Sequence, residues 1–161
     1  MTNKDNQISN DFDLFSKLSE IGNHIKEYGC SIISTDTDGT RMAYTVGLSD
    51  SGLPEIVVFG LPPATAHGIL NVAAKLLKED KLPLDVPISG LAKLPLVCKQ
   101  VPAERGVGYI NFAIIWAGRP VNLIQLVWPD EKGRFPWQKK FDKKLRRYQL
   151  SLYHQGAVGV H

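Results

Sequence analysis

Two groups of residues in this chain have the types and spacing to do chemistry. Tyr44 and Thr45 put two hydroxyls side by side in the apolar run Met42-Ala43-Tyr44-Thr45-Val46, just ahead of Gly47. Polar hydroxyls in a strand beside a glycine, followed by the break Ser49-Asp50-Ser51-Gly52-Leu53-Pro54, suit the lining of a pocket. Ordinary packing accounts for them too, since Thr and Tyr are good β-formers. The second group is Trp128, Asp130, Arg134 and Trp137, within Leu126-Val127-Trp128-Pro129-Asp130-Glu131-Lys132-Gly133-Arg134-Phe135-Pro136-Trp137. Two of the three tryptophans fall in this stretch. If their rings approach each other across the turn, they form an aromatic shelf with Asp130 and Arg134 at its rim. A planar ligand or a peptide would stack there; if they bury against the helices instead, they are core.

Other chemistry finds less support. The histidines His24, His67, His154 and His161 are scattered, and His67 lies beside the apolar face of a helix. No serine or cysteine sits in a nucleophile elbow, so a nucleophile–base pair has no basis. Gly106-Val107-Gly108 lacks the following helix of a dinucleotide fingerprint. Asp36-Thr37-Asp38-Gly39 lacks the distal glutamate of a calcium loop, which leaves a simple turn. Cys30 and Cys98 lie in apolar strand-like runs with no Cys-x-x-Cys or zinc spacing, so they read as buried free thiols with no metal centre. Free thiols fit a reducing cytosol, and with a polar start that lacks a signal-peptide hydrophobic region and no run of membrane-spanning length, a bacterial or other cytoplasmic location is the default expectation.

From Asp130 to Arg147 the chain carries Lys132, Arg134, Lys139, Lys140, Lys143, Lys144, Arg146 and Arg147 against Asp130, Glu131 and Asp142, eight cations to three acids, or +5. The whole chain is +3, so the remainder is −2. Phe141, Leu145, Tyr148 and Leu152 would form one face of an amphipathic helix with the cations opposite. A solvated helix face is the ordinary reading; a polyanion or nucleic acid held by Lys139, Lys140, Lys143, Lys144, Arg146 and Arg147 is the alternative.

The elements that must position these residues follow from pattern. At 161 residues with 43% hydrophobic content, one domain with a real core is expected. Residues 1–10 read as a disordered N-terminus, and 11–155 as a single α+β domain with a basic C-terminal segment at 138–155. Phe12, Phe15, Leu18, Ile21 and Ile25 recur at helical spacing, from an Asn10 or Asp11 cap to a stop at Gly29. Cys30–Ser34 and Met42–Val46 make a hairpin, and Ile56–Phe59, apolar on both faces, a central strand. Pro62-Pro63 opens a second helix buried through Ala66, Ile69, Leu70, Ala73 and Leu77. Residues 80–95 read as a loop that wraps the body. Strands resume at Leu96–Val101, Tyr109–Trp116 and Val121–Val127, the last two joined as a hairpin at Gly118-Arg119-Pro120. Pro129 and Asp130 suit the centre of a type I turn. The expected fold is a curved, mainly antiparallel sheet or partial, split-barrel-like barrel with two or three packed helices.

Tyr44-Thr45-Val46-Gly47-Leu48, Gly52-Leu53-Pro54-Glu55-Ile56-Val57-Val58-Phe59-Gly60-Leu61, Gln125-Leu126-Val127-Trp128-Pro129-Asp130 and Gly133-Arg134-Phe135-Pro136-Trp137 together resemble the bacterial family catalogued as domain of unknown function 4262. The resemblance covers about 28–137 and implies no reaction and no catalytic residue. The leading expectation is a domain that binds a small molecule or a protein partner near Tyr44, Trp128 and the turn. The order of hairpin, apolar strand and crossover helix is also similar in pattern to split-barrel flavin proteins, which would imply an oxidoreductase with FMN between subunits. A homodimer stays open under either reading.

Overall fold

The computed structural model describes residues 3–37 and 39–153. The first helix, α1 (Asn3–Tyr28), starts before the expected Asn10–Asp11 cap and closes where Gly29 donates its N–H to the Ile25 carbonyl at 2.8 Å. Only the second half of its apolar stripe is used. Ile21 is fully buried and Leu18 and Ile25 pack beside it, whereas Phe12 and Phe15 stay 69% and 70% exposed.

The hairpin of β1 (Ser31–Thr37) and β2 (Thr40–Val46) pairs in unbroken register from Ser31 opposite Val46 to Thr37 opposite Thr40. Then come β3 (Glu55–Phe59), α2 (Pro63–Lys78), a short β4 (Pro87–Ile88) inside the expected loop, and β5 (Leu96–Val101). A helical turn, α3 (Ala103–Gly106), precedes α4 (Asn111–Ala117) and β6 (Leu123–Val127). The strands form one open sheet in the order β1-β2-β3-β6-β5-β4. Its pairings are antiparallel except for β3 with β6, which run parallel at the centre. The chain is thus an α+β domain with a mainly antiparallel sheet that does not close into a barrel.

Both faces of the sheet are covered, which explains why every residue of β3 and β6 is buried. On one face Ala43, Ile56, Val58, Ile124 and Leu126 meet Ala66, Ile69, Leu70 and Ala73 of α2. On the other, Tyr44, Val57, Phe59 and Leu123 meet Ile21 of α1 and Ala113 of α4. Among the described residues, no helix is long and apolar enough to cross a membrane.

Two longer segments also depart from the sequence reading. Tyr109–Trp116 is not a strand: Asn111–Ala117 is helical, and Gly118 caps it at φ +68° instead of turning a hairpin. Aromatic and β-branched residues there favour a strand locally, but Ile110, Ala113, Ile114 and Ala117 recur at helical spacing and pack on the sheet. Tertiary burial overrides local preference. Nor is the basic segment an amphipathic helix; it contains one 3-10 turn at Lys143–Arg147. Beyond it the chain follows the sheet because two glutamines hold it there. Gln125 donates to the Leu150 carbonyl at 2.6 Å and accepts the Leu152 N–H at 2.9 Å. Gln149 likewise accepts the Trp128 N–H at 2.8 Å and donates to the Trp128 carbonyl at 2.9 Å.

Candidate functional site

The tryptophan-proline turn is built around Asp130. Its carboxylate accepts N–H groups from Lys132, Arg134 and Asp142 at 2.9–3.1 Å and the Arg134 Nε–H at 2.9 Å. Burial opposes its ionisation, but these donors prevail and lower its pKa to about 2. The turn itself spans Asp130–Gly133, closed by the Gly133 N–H to the Asp130 carbonyl at 2.9 Å, so its centre is Glu131–Lys132, two residues beyond the expected Pro129–Asp130.

The two tryptophans of this turn do not make a shelf. Trp128 follows Ile124 and Leu126 onto the α2 face, where its indole N–H donates to the Phe59 carbonyl at 2.7 Å. Trp137 joins Val97, Val127 and Phe135 in a separate cluster. It stacks on Phe135 at 5.0 Å, meets Tyr153 edge-on, and carries the Lys99 ammonium over its ring at 4.4 Å. Trp128 does border a shallow apolar groove of about 250 Å³ with Leu61, Thr65, Ile69, Leu94 and Pro129. Gly60 lies under the same ring at φ +80°; a Cβ there would meet the Tyr148 carbonyl oxygen at 2.5 Å and Trp128 at 2.9 Å.

Tyr44 and Thr45 have separate roles. The Thr45 hydroxyl is fully buried, donating to Glu55 at 2.8 Å and accepting the Ile56 N–H at 2.9 Å. Glu55, also fully buried, accepts the N–H groups of Gly47, Leu48 and Ser49 at 3.0–3.2 Å. Burial lifts the Glu55 carboxyl above its ordinary value even though these donors pull it down. This carboxylate organises the β2–β3 connection. Asp50 and the Ser49 carbonyl in that connection are held from outside by Trp116 Nε1 at 3.0 Å and Arg119 at 3.2 Å.

The Tyr44 hydroxyl instead accepts the Phe112 N–H at 3.2 Å. Its ring is at the floor of a cleft of about 460 Å³ between the hairpin, α4 and the returning C-terminal segment. Thr35, Thr40, Tyr109 and Asn111 supply polar groups around it, and Met42, Phe112 and Leu150 an apolar lining. Burial raises the Tyr44 pKa, against the pull of the Phe112 N–H, so its phenol is a neutral hydrogen-bonding group. Asn111 and Tyr109 escaped the sequence reading because that segment was read as a strand.

The remaining candidates lie apart from this cleft. Lys139, Lys140, Lys143, Lys144, Arg146 and Arg147 are exposed. Arg146 donates to the Pro136 carbonyl at 3.1 Å, and Arg147 lies over the Tyr148 ring. His24 and His67 line a different opening with Cys30 and Ser31. His154, His161 and Asp38 fall outside the described residues. Cys30 and Cys98 are free and buried; burial, with a smaller push from Asp85, raises the Cys98 thiol to about 12. Among the described residues, no three His, Cys, Asp or Glu side chains are grouped to hold a metal ion.

These features define an α+β domain with an open, mainly antiparallel sheet covered by helices on both faces. Residues 24–142 match the family described as domain of unknown function (DUF4262), and the chain belongs to that family. No curated protein and no solved structure matches it.

Proposed function

We propose that this protein binds a small, uncharged polar molecule in the Tyr44 cleft. One observation carries the reading: the cleft is lined by four hydroxyl-bearing residues (Thr35, Thr40, Tyr44, Tyr109) and Asn111 together with Met42, Phe112 and Leu150, and by no charged side chain. The volume, about 460 Å³, falls in the range of small-molecule sites, which pair apolar walls with a few polar groups that fix orientation. A neutral ring-bearing ligand with several hydroxyl or amide groups matches that lining.

Trp128, Asp130, Arg134 and Trp137 serve this reading as scaffold. Through Gln149 and Gln125 the turn and β6 hold the segment that brings Leu150 to the cleft wall. Thermal-shift screening with neutral nucleosides and monosaccharides tests the proposal. A ligand that raises the melting temperature of the wild type but not of Asn111→Ala supports it; equal stabilisation of both proteins refutes it.

A further inference from the structure

Asp36 of β1 stands opposite Arg41 of β2 near the closed end of the hairpin, with 3.8 Å between carboxylate and guanidinium. Successive strand side chains point to opposite faces, so this pair lies across the sheet from Thr35, Thr40 and Tyr44. There it lines an opening of about 360 Å³ together with Gly39, Gly60 and Tyr148. Tyr148 is 46% exposed, and the Arg147 guanidinium lies 5.1 Å over its ring. The Tyr148 backbone packs on Gly60, which fixes the end of the basic segment beside the opening.

The residues leading to this ring are cationic and exposed. Lys139, Lys140, Lys143, Lys144, Arg146 and Arg147 face one acid within their own stretch, Asp142. That carboxylate caps the turn by accepting the Lys144 N–H at 3.1 Å. Among the described residues none of the six cations is in a salt bridge. Arg146 donates to the Pro136 carbonyl at 3.1 Å, which closes 136–146 into one loop. Lys143–Arg147 is a 3-10 turn, in which side chains three apart eclipse. Lys143 with Arg146, and Lys144 with Arg147, therefore form two short columns of charge spaced by roughly 6 Å. The second column ends at the Tyr148 ring.

We propose that this surface binds a single strand of nucleic acid. Its phosphates lie along the cation columns, and one base enters the opening against Tyr148, beside Asp36 and Arg41. Single-stranded sites use this combination, charge for the backbone and an aromatic ring for an unstacked base. The Asp36 carboxylate and the Arg41 guanidinium offer an acceptor and donors to the edge of that base. A duplex keeps its bases stacked on each other and leaves the ring unused. An anionic membrane is held by apolar side chains interleaved with cations. Here Phe141 is buried and Leu145 partly so. The site is on the other face of the sheet from the Tyr44 cleft and stands without it.

The probes are fluorescein-labelled dodecamers of thymidylate and uridylate, titrated with the full chain and followed by anisotropy. Expected is saturable binding whose log K falls with log salt, by about 0.7 for each phosphate met. Lys143→Gln combined with Lys144→Gln should flatten that slope by about 1. Tyr148→Ala should weaken binding about tenfold at unchanged slope, and Tyr148→Phe should bind as the wild type does. All three side chains are exposed, so these changes spare the fold. Asn111→Ala, in the other cleft, should leave the affinity unchanged. Undiminished binding by Tyr148→Ala overturns the proposal, as does equal affinity for a duplex of the same length or the absence of saturation. Tighter binding to phosphatidylglycerol vesicles than to either dodecamer overturns it in favour of a membrane surface.

Discussion

The Phe112 amide donates to the Tyr44 hydroxyl at 3.2 Å, across 68 positions of sequence. That bond fastens the first turn of α4 to β2, and it ties together two walls of the Tyr44 cleft. A position read from sequence as a strand hydroxyl is therefore also the anchor of a helix that sequence pattern did not reveal.

Replacing Tyr44 by Phe keeps the ring and removes the acceptor. The Phe112 N–H then loses its partner, and stability to urea should fall by about 1 kcal/mol. Binding of any ligand that protects the wild type should fall with it. Unchanged stability would show that the bond contributes nothing to holding α4.

Asp130 should govern acid stability locally. Its folded pKa of about 2 lies below the ordinary 3.8, so its contribution is complete above the unfolded value and lost as pH falls through the folded one. Asp130→Asn should lower the melting temperature at neutral pH, and the gap to wild type should close between about pH 4 and pH 2. Calorimetry across that window checks the sign; a gap that widens on acidification would contradict it.

Glu55 faces only donors: one hydroxyl and three backbone N–H groups. Glu55→Gln sets an amide NH₂ against them, and the loss should be about 2–3 kcal/mol, the cost of buried polar groups left unpaired. Amide exchange should accelerate first at Gly47–Ser51. Uniform acceleration over the whole domain would deny the carboxylate its local role.

Trp128→Ala should cost about 3 kcal/mol, the low end for a large ring because Trp128 is only partly buried against the core, and Trp128→Phe about 1 kcal/mol for the bond to Phe59. Gly60→Ala should cost about 2 kcal/mol or more, because it combines a positive φ with a close carbonyl. A stable Trp128→Ala protein that no longer binds ligand would reinstate the turn as the binding surface.

Much of the architecture was legible from pattern. The Gly39 hairpin, the doubly apolar β3, the Pro62–Pro63 start of α2 and the buried thiols all rest on local rules, and the structure places them accordingly. What escaped depends on partners distant in sequence. Gln125 and Gln149 look like unremarkable polar residues until the chain returns to pair with them. Their main-chain bonds direct the basic segment along the sheet instead of into a helix. Trp128 and Trp137 are close in sequence, but β6 sends Trp128 to the α2 face and the Asp130 turn carries Trp137 into the opposite cluster. The Tyr44 cleft was half-legible: the hydroxyl was visible, whereas Asn111 and Tyr109 required α4.

The most direct test is amide chemical-shift mapping of the full chain with the neutral nucleosides and monosaccharides used for thermal-shift screening. The account predicts saturable shifts clustered at Thr35, Thr40–Tyr44 and Tyr109–Phe112, abolished in Asn111→Ala. Shifts clustered instead around Leu61, Thr65 and Trp128, or none that saturate for any member of the panel, would contradict it.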